Sequence, residues 1–113
     1  MYAEAQNEIA GPDPSVYDAM NTLRSRVQMP GFPAGYTKEK MRDRIRHERR
    51  VELAFEGLRH YDLIRWHIAG EVLNVVKDSK VPYHFEDKFY RWPLPQTEIE
   101  KSAGVLIQNP NYK

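Results

Sequence analysis

The sequence predicts a mostly α protein, in which short helical hairpins are followed by an irregular, aromatic and Pro-rich C-terminal segment. Three observations predict it. Through most of the first 76 positions apolar residues recur three or four apart, as on one face of a helix. Gly11-Pro12 cuts that periodicity, and so does Met29 to Tyr36, which holds two Pro and two Gly in eight residues. From Lys77 onward the periodicity gives way to Tyr, Phe, Trp and Pro.

Tyr2 to Ala10 carries Tyr2, Ala5 and Ile9 at helical spacing and should be a first helix. Asp13 is placed to cap a second helix with Pro14 at its first position, and Val16, Met20, Leu23 and Val27 would form its apolar stripe. Two helices joined by a Gly-Pro turn look like one tetratricopeptide-type hairpin, with no second copy in the chain. Thr37 should cap a third helix running to about Glu56, and Gly57 should bend the chain into a fourth from Leu58 to about Val76. Phe89 to Trp92 reads as strand-like until Pro93-Leu94-Pro95 halts it. Thr97 to Glu100 has capping-box spacing for one last helical turn, and Val105 to Tyr112 should be extended or irregular. The expected organisation is a hairpin over 1–28, a helix pair over 37–76 and an irregular closing segment over 77–113.

A chain of 113 residues with 41% hydrophobic and 29% charged residues reads as one soluble domain with a modest core. Seventeen basic against 16 acidic side chains give a net charge of +1, so no overall field favours nucleic acid or an anionic membrane. The absence of cysteine excludes disulfides, thiolate nucleophiles and a lipidated cysteine on this chain. Met1 to Ala5 lack the basic region and apolar core expected of a secretory signal, and no window approaches the roughly 18 apolar residues of a membrane span.

The unusual feature is charge where apolar residues belong. On the third helix Glu48 and Glu52 fall within the stripe of Met41, Ile45, Val51 and Phe55; on the fourth, Arg59 and Asp62 fall beside Leu63, Trp66, Ala69 and Leu73. Unpaired buried ions cost several kcal/mol, so these groups need partners, and Arg49, Arg50, Arg59 and Arg65 are at hand. One reading is an acid and base pair of the glycosidase kind around Glu48, Glu52 or Glu56. The favoured reading is a structural ion-pair corner of Glu48, Arg49, Glu52, Glu56, Arg59, Asp62, Arg65 and Trp66 that locks the third helix on the fourth, with no catalytic residue.

Lys38 to Arg50 holds seven Lys and Arg, a face that could track phosphates, but three acids interrupt it and nucleic-acid binding is the lesser reading. His47, His60, His67 and His84 show no ligand spacing, so no metal or other cofactor is expected. No phosphate loop or nucleophile elbow surrounds Ser15, Ser25, Ser79 or Ser102. Tyr83, Phe85, Phe89, Tyr90 and Trp92 could form a sugar-stacking platform, with core packing the favoured alternative.

The run from Glu48 to Trp66, ERRVELAFEGLRHYDLIRW, closely resembles the signature near the C-terminus of the SusD/RagB family. Tyr2 to Ala5 and Tyr17 to Arg26 look like that family's last helical hairpin; Trp92 to Ile99 and Gln108 to Tyr112 look like its closing segment. The resemblance implies a non-catalytic, surface-exposed lipoprotein of the outer membrane in Bacteroidota-type bacteria. Such a protein captures glycans or other oligomeric nutrients and delivers them to a TonB-dependent transporter. It implies that this chain corresponds to the C-terminal portion only, without signal peptide, lipid anchor or most helices, and transfers no ligand-binding residue by number. A lone hairpin leaves one apolar face wet, so Tyr2, Ile9, Met20 or Leu23 should be exposed. Self-association, cover by the chain's own C-terminal segment, or marginal stability should follow. A basic nucleic-acid-binding module and a glycoside hydrolase fragment remain the alternatives.

Overall fold

The computed structural model describes residues 1–77, 80 and 83–112; residues 78, 79, 81, 82 and 113 of the expected closing segment, Ser79 among them, lie outside the description. The described residues form six α-helices, a short 3-10 helix and no strand: α1 Tyr2–Ala10, α2 Pro14–Ser25, α3 Lys38–Glu52, α4 Arg59–Arg65, α5 Ala69–Leu73, the 3-10 helix Asp87–Tyr90, and α6 Gln96–Lys101. They fall into two compact units, 1–56 and 57–113, so the boundary lies inside the expected 37–76 helix pair.

In the first unit α1 packs against both α2 and α3. The Asp13 side chain accepts from the backbone N–H groups of Ser15 (2.8 Å) and Val16 (3.2 Å), satisfying donors that a helix start leaves open. Thr37 does the same for Lys40 at 3.2 Å. The core is Ala3, Val16, Met20, Met41 and Ile45, with Tyr17, Ala19, Phe32 and Tyr36 packed on it. Asn7 is fully buried within this unit; its Nδ2 donates to the Lys38 carbonyl at 3.1 Å. The Pro/Gly loop is tied to α2 by Phe32 N–H donating to Asn21 Oδ1 (2.8 Å) and Tyr36 N–H donating to the Tyr17 hydroxyl (2.9 Å). A Cβ at Gly31 would stand 2.9 Å from Asn21 Oδ1, so a side chain there would have to displace the amide that holds Phe32 N–H. Tyr2 and Ile9 are exposed as expected, whereas Met20 is buried and Leu23 half-buried.

Several helix ends differ from the periodicity. The third helix stops at Glu52 rather than near Glu56. Phe55, expected on the buried stripe, sits in the following turn at φ 66° and is fully exposed, and Val51 is exposed too. The fourth helix is not continuous to Val76. His67 adopts φ 54°, and the bonds Ile68 N–H to Leu63 carbonyl (3.1 Å) and His67 N–H to Ile64 carbonyl (3.0 Å) close a Schellman motif between α4 and α5. A left-handed residue costs about 1–2 kcal/mol without glycine, and the His67 ring stacks on Tyr90 at 4.3 Å, which helps hold the conformation. Phe89 and Tyr90 lie in the 3-10 helix rather than in a strand. Thr97 is the second residue of α6, not its cap; Pro95 holds that position without a side-chain bond.

Candidate functional site

The charged stripe of α3 finds partners on α2. Met41 and Ile45 are buried, and the next positions of that face are Glu48 and Glu52. On α2 the buried face of Val16 and Met20 leads to Arg24. Arg24 Nη1 donates to Glu48 Oε1, with both side chains nearly out of water at 12% and 14% exposure. The same guanidinium donates from Nε to the Pro30 carbonyl at 2.7 Å and lies 4.7 Å from the Phe32 ring centre. Arg26 Nη2 donates to Glu52 Oε1 nearer solvent, at 60% and 33% exposure. Arg24 and Arg26 were missing from the sequence expectation, which drew its donors from α3 and α4. The available signal was position: Arg24 follows Met20 by four residues on the inward stripe.

Glu48, Arg49 and Glu52 line a shallow groove of about 140 Å³ with Met20, Leu23 and Leu53. Both carboxylates have an arginine at hand, so neither stands open for acid and base work. Glu56 is exposed in the turn after α3. In the second unit Asp62 is buried at 4% exposure and accepts from Arg65 Nη2 at 3.1 Å, one turn along α4. The guanidinium carbons of Arg59 and Arg65 lie 5.8 and 5.0 Å from the Trp66 ring centre, so two cations contact the Trp66 ring.

The basic face of α3 is partly neutralised from α1. Arg42 grips Glu8 with two bonds, Nε to Oε1 at 2.5 Å and Nη2 to Oε2 at 2.7 Å, and Lys38 Nζ stands 3.9 Å from the same carboxylate. The Arg42 hydrogen bonds hold the Glu8 carboxyl below its ordinary value. Among the described residues no group of three or more His, Asp or Glu is placed to hold a metal ion.

The open chemistry lies in the second unit. A hollow of about 680 Å³ is walled by Leu63 and Leu73 and by the rings of Tyr83, Phe85, Phe89 and Trp92. Phe85 and Tyr90 are half-buried and meet edge to face at 4.9 Å, as packing would have them. Tyr83, Phe89 and Trp92 remain exposed, Trp92 by 80%.

Side-chain amides build this frame without a sheet. Gln108 Oε1 accepts from Leu94 N–H (2.8 Å) while its Nε2 donates to the Leu94 carbonyl (2.9 Å), both bonds of a strand pair made by one side chain. Asn74 does the same with Phe85, its Oδ1 accepting at 2.7 Å and its Nδ2 donating at 3.1 Å. Asn109 Nδ2 donates to the Trp92 carbonyl at 2.6 Å, and the Tyr112 hydroxyl lies 3.1 and 3.0 Å from the Lys88 and Arg91 carbonyls. Gln108 to Tyr112 is therefore a set of backbone clips on the segment that carries Trp92.

A helical hairpin followed in sequence by a closing segment pinned by Asn and Gln amides defines an all-α fold among the described residues. The SusD family model matches residues 1–112, and the chain belongs to the SusD family. Two curated relatives come from Formosa agariphila. SusD-like protein P2 is 30% identical over 97% of this chain and 23% of its own length, and SusD-like protein P25 is 34% identical over 94% and 21%. The crystal structure of a SusD homolog from Bacteroides thetaiotaomicron superposes with a TM-score of 0.76 at 32% identity, covering 98% of this chain and 25% of that one. The chain thus spans about a quarter of the length of the relatives it matches.

Proposed function

We propose that this chain serves as part of a non-catalytic nutrient-binding protein at the outer-membrane surface, one that captures oligosaccharides or related oligomers and delivers them to a TonB-dependent transporter. Family membership supports that role. The observation that carries it to particular residues is the hollow walled by Tyr83, Phe89 and Trp92, whose exposed rings offer flat apolar faces to the C–H groups of a pyranose. The corner from Glu48 to Trp66 is structural on this reading. Its acids pair with Arg24 and Arg26 of the α2 segment or, within α4, with Arg65, and take no part in bond cleavage.

Trp66 and Trp92 provide the assay, because they are the chain's two tryptophans and Trp92 is the exposed one. Titration with an oligosaccharide panel should change the fluorescence saturably, and Trp92→Phe should remove the response. Hydrolysis of any panel member, abolished by Glu52→Gln, would refute the binding role. No response to any sugar would refute the hollow as the sugar-facing surface.

A further inference from the structure

The hollow is one-sided in charge. Its walls are aromatic and aliphatic, while Arg59, His60, His84 and Arg91 are the polar groups that line it together with the tyrosine hydroxyls, and no carboxylate is among its described lining residues. Glu86, on the same segment, stands 3.7 Å from His84 and 2.9 Å from Lys88, and is itself countered there. Arg59 already lies over Trp66. Arg91 is exposed; its backbone is fixed, with N–H donating to the Lys88 carbonyl at 3.2 Å and its carbonyl receiving Tyr112. It neighbours Trp92, whose ring is the most exposed in the hollow.

Given the sugar-binding reading of this hollow, on which the inference rests, we propose that its ligand is an acidic oligosaccharide, a chain containing uronic acid, with a pyranose face on Trp92 and a carboxylate on Arg91. A planar carboxylate matches the two parallel N–H donors of a guanidinium, which a neutral sugar hydroxyl does not. A rim with two guanidiniums and no carboxylate among its described lining residues attracts anions. Neutral sugars would still stack but would leave the rim unused.

The test compares oligogalacturonides and glucuronate-containing oligosaccharides with their own methyl esters, which keep the ring and remove the charge. The full 113-residue chain is titrated at low salt by tryptophan fluorescence and calorimetry. At least one acidic probe should bind about tenfold or more tightly than its ester. Arg91→Gln should erase that preference, and Lys101→Gln, a cation outside the hollow, should leave it in place. Equal or tighter binding of the esters would overturn the acidic-ligand inference and leave the sugar-binding reading standing. Acid binding indifferent to Arg91→Gln would overturn it as well, since the charge would then be met elsewhere. Binding of none of the probes, acid or ester, together with the neutral panel, would remove both.

Discussion

Glu48→Gln tests the α2–α3 pairing most directly. The substitution keeps shape and one acceptor oxygen but leaves the Arg24 guanidinium beside a neutral group in a place that is nearly dry. Exposed ion pairs contribute about 0.2–1 kcal/mol, and removing one partner of a fully buried pair costs about 3–5 kcal/mol. At 12% and 14% exposure the pair lies between these limits, and the amide retains part of the hydrogen bond, so about 2 kcal/mol is expected. For a domain of this size that lowers Tm by roughly 8–16 °C. The Arg26–Glu52 pair is the internal control, because at 60% and 33% exposure solvent screens it, and Glu52→Gln should cost less than about 0.5 kcal/mol. Urea unfolding followed by far-ultraviolet circular dichroism measures both, and a cycle with Arg24→Met should return a coupling energy of about 1–2 kcal/mol for the inner pair. A Glu48→Gln variant no less stable than Glu52→Gln would refute the argument that the inward carboxylate holds α2 to α3.

Stability should also fall on the acid side. Glu8 is held below its ordinary 4.5 first by the Arg42 hydrogen bond, and Asp13 below its ordinary 3.8 first by the Gln6 amide and then by the Ser15 hydroxyl. Lowered folded values mean that the unfolded chain binds protons first as pH drops. Both contributions are therefore complete above the unfolded values and disappear as pH falls through the lower folded ones. Melting curves from about pH 6 to about pH 2 should show the loss beginning near pH 5, and Glu8→Gln should flatten part of it; an unchanged slope would remove Glu8 as a cause. Gln108→Glu replaces the donor facing the Leu94 carbonyl with an acceptor and should cost about 1–3 kcal/mol. The local sign is faster hydrogen exchange at Leu94 N–H and a red-shifted Trp92, and native exchange there would show that the clip is dispensable.

What could be read from residues alone was local. α1 has the bounds its spacing predicts, and Asp13 and Thr37 cap the helices that follow them, because a cap is settled within three or four positions. The helix ends were hidden, because Gln28, Phe55 and His67 take the left-handed conformation that a sequence ordinarily marks with glycine. The inward placement of Glu48 and Asp62 was legible from a 100° projection. The partner of Glu48 was not, because Arg24 lies 24 positions away and no short-range rule links them. Periodicity tells which side of a helix a charge occupies, while tertiary packing decides which charge answers it.

The closing segment shows why its aromatics could be read either as core or as platform. A strand pair would satisfy backbone groups along its whole length and lay alternate rings flat on a core. Here Asn74, Gln108 and Asn109 satisfy the backbone at Phe85, Leu94 and Trp92, single points rather than a continuous ladder. Between those points the chain is free to follow a curve, and Phe85 and Tyr90 turn inward while Tyr83, Phe89 and Trp92 remain at the surface. A segment fixed at a few amide clips can thus carry exposed rings in a defined place at little cost in unpaired backbone. On the proposed sugar-binding reading, the rings left at the surface, Trp92 first among them, are the ones that would meet a ligand.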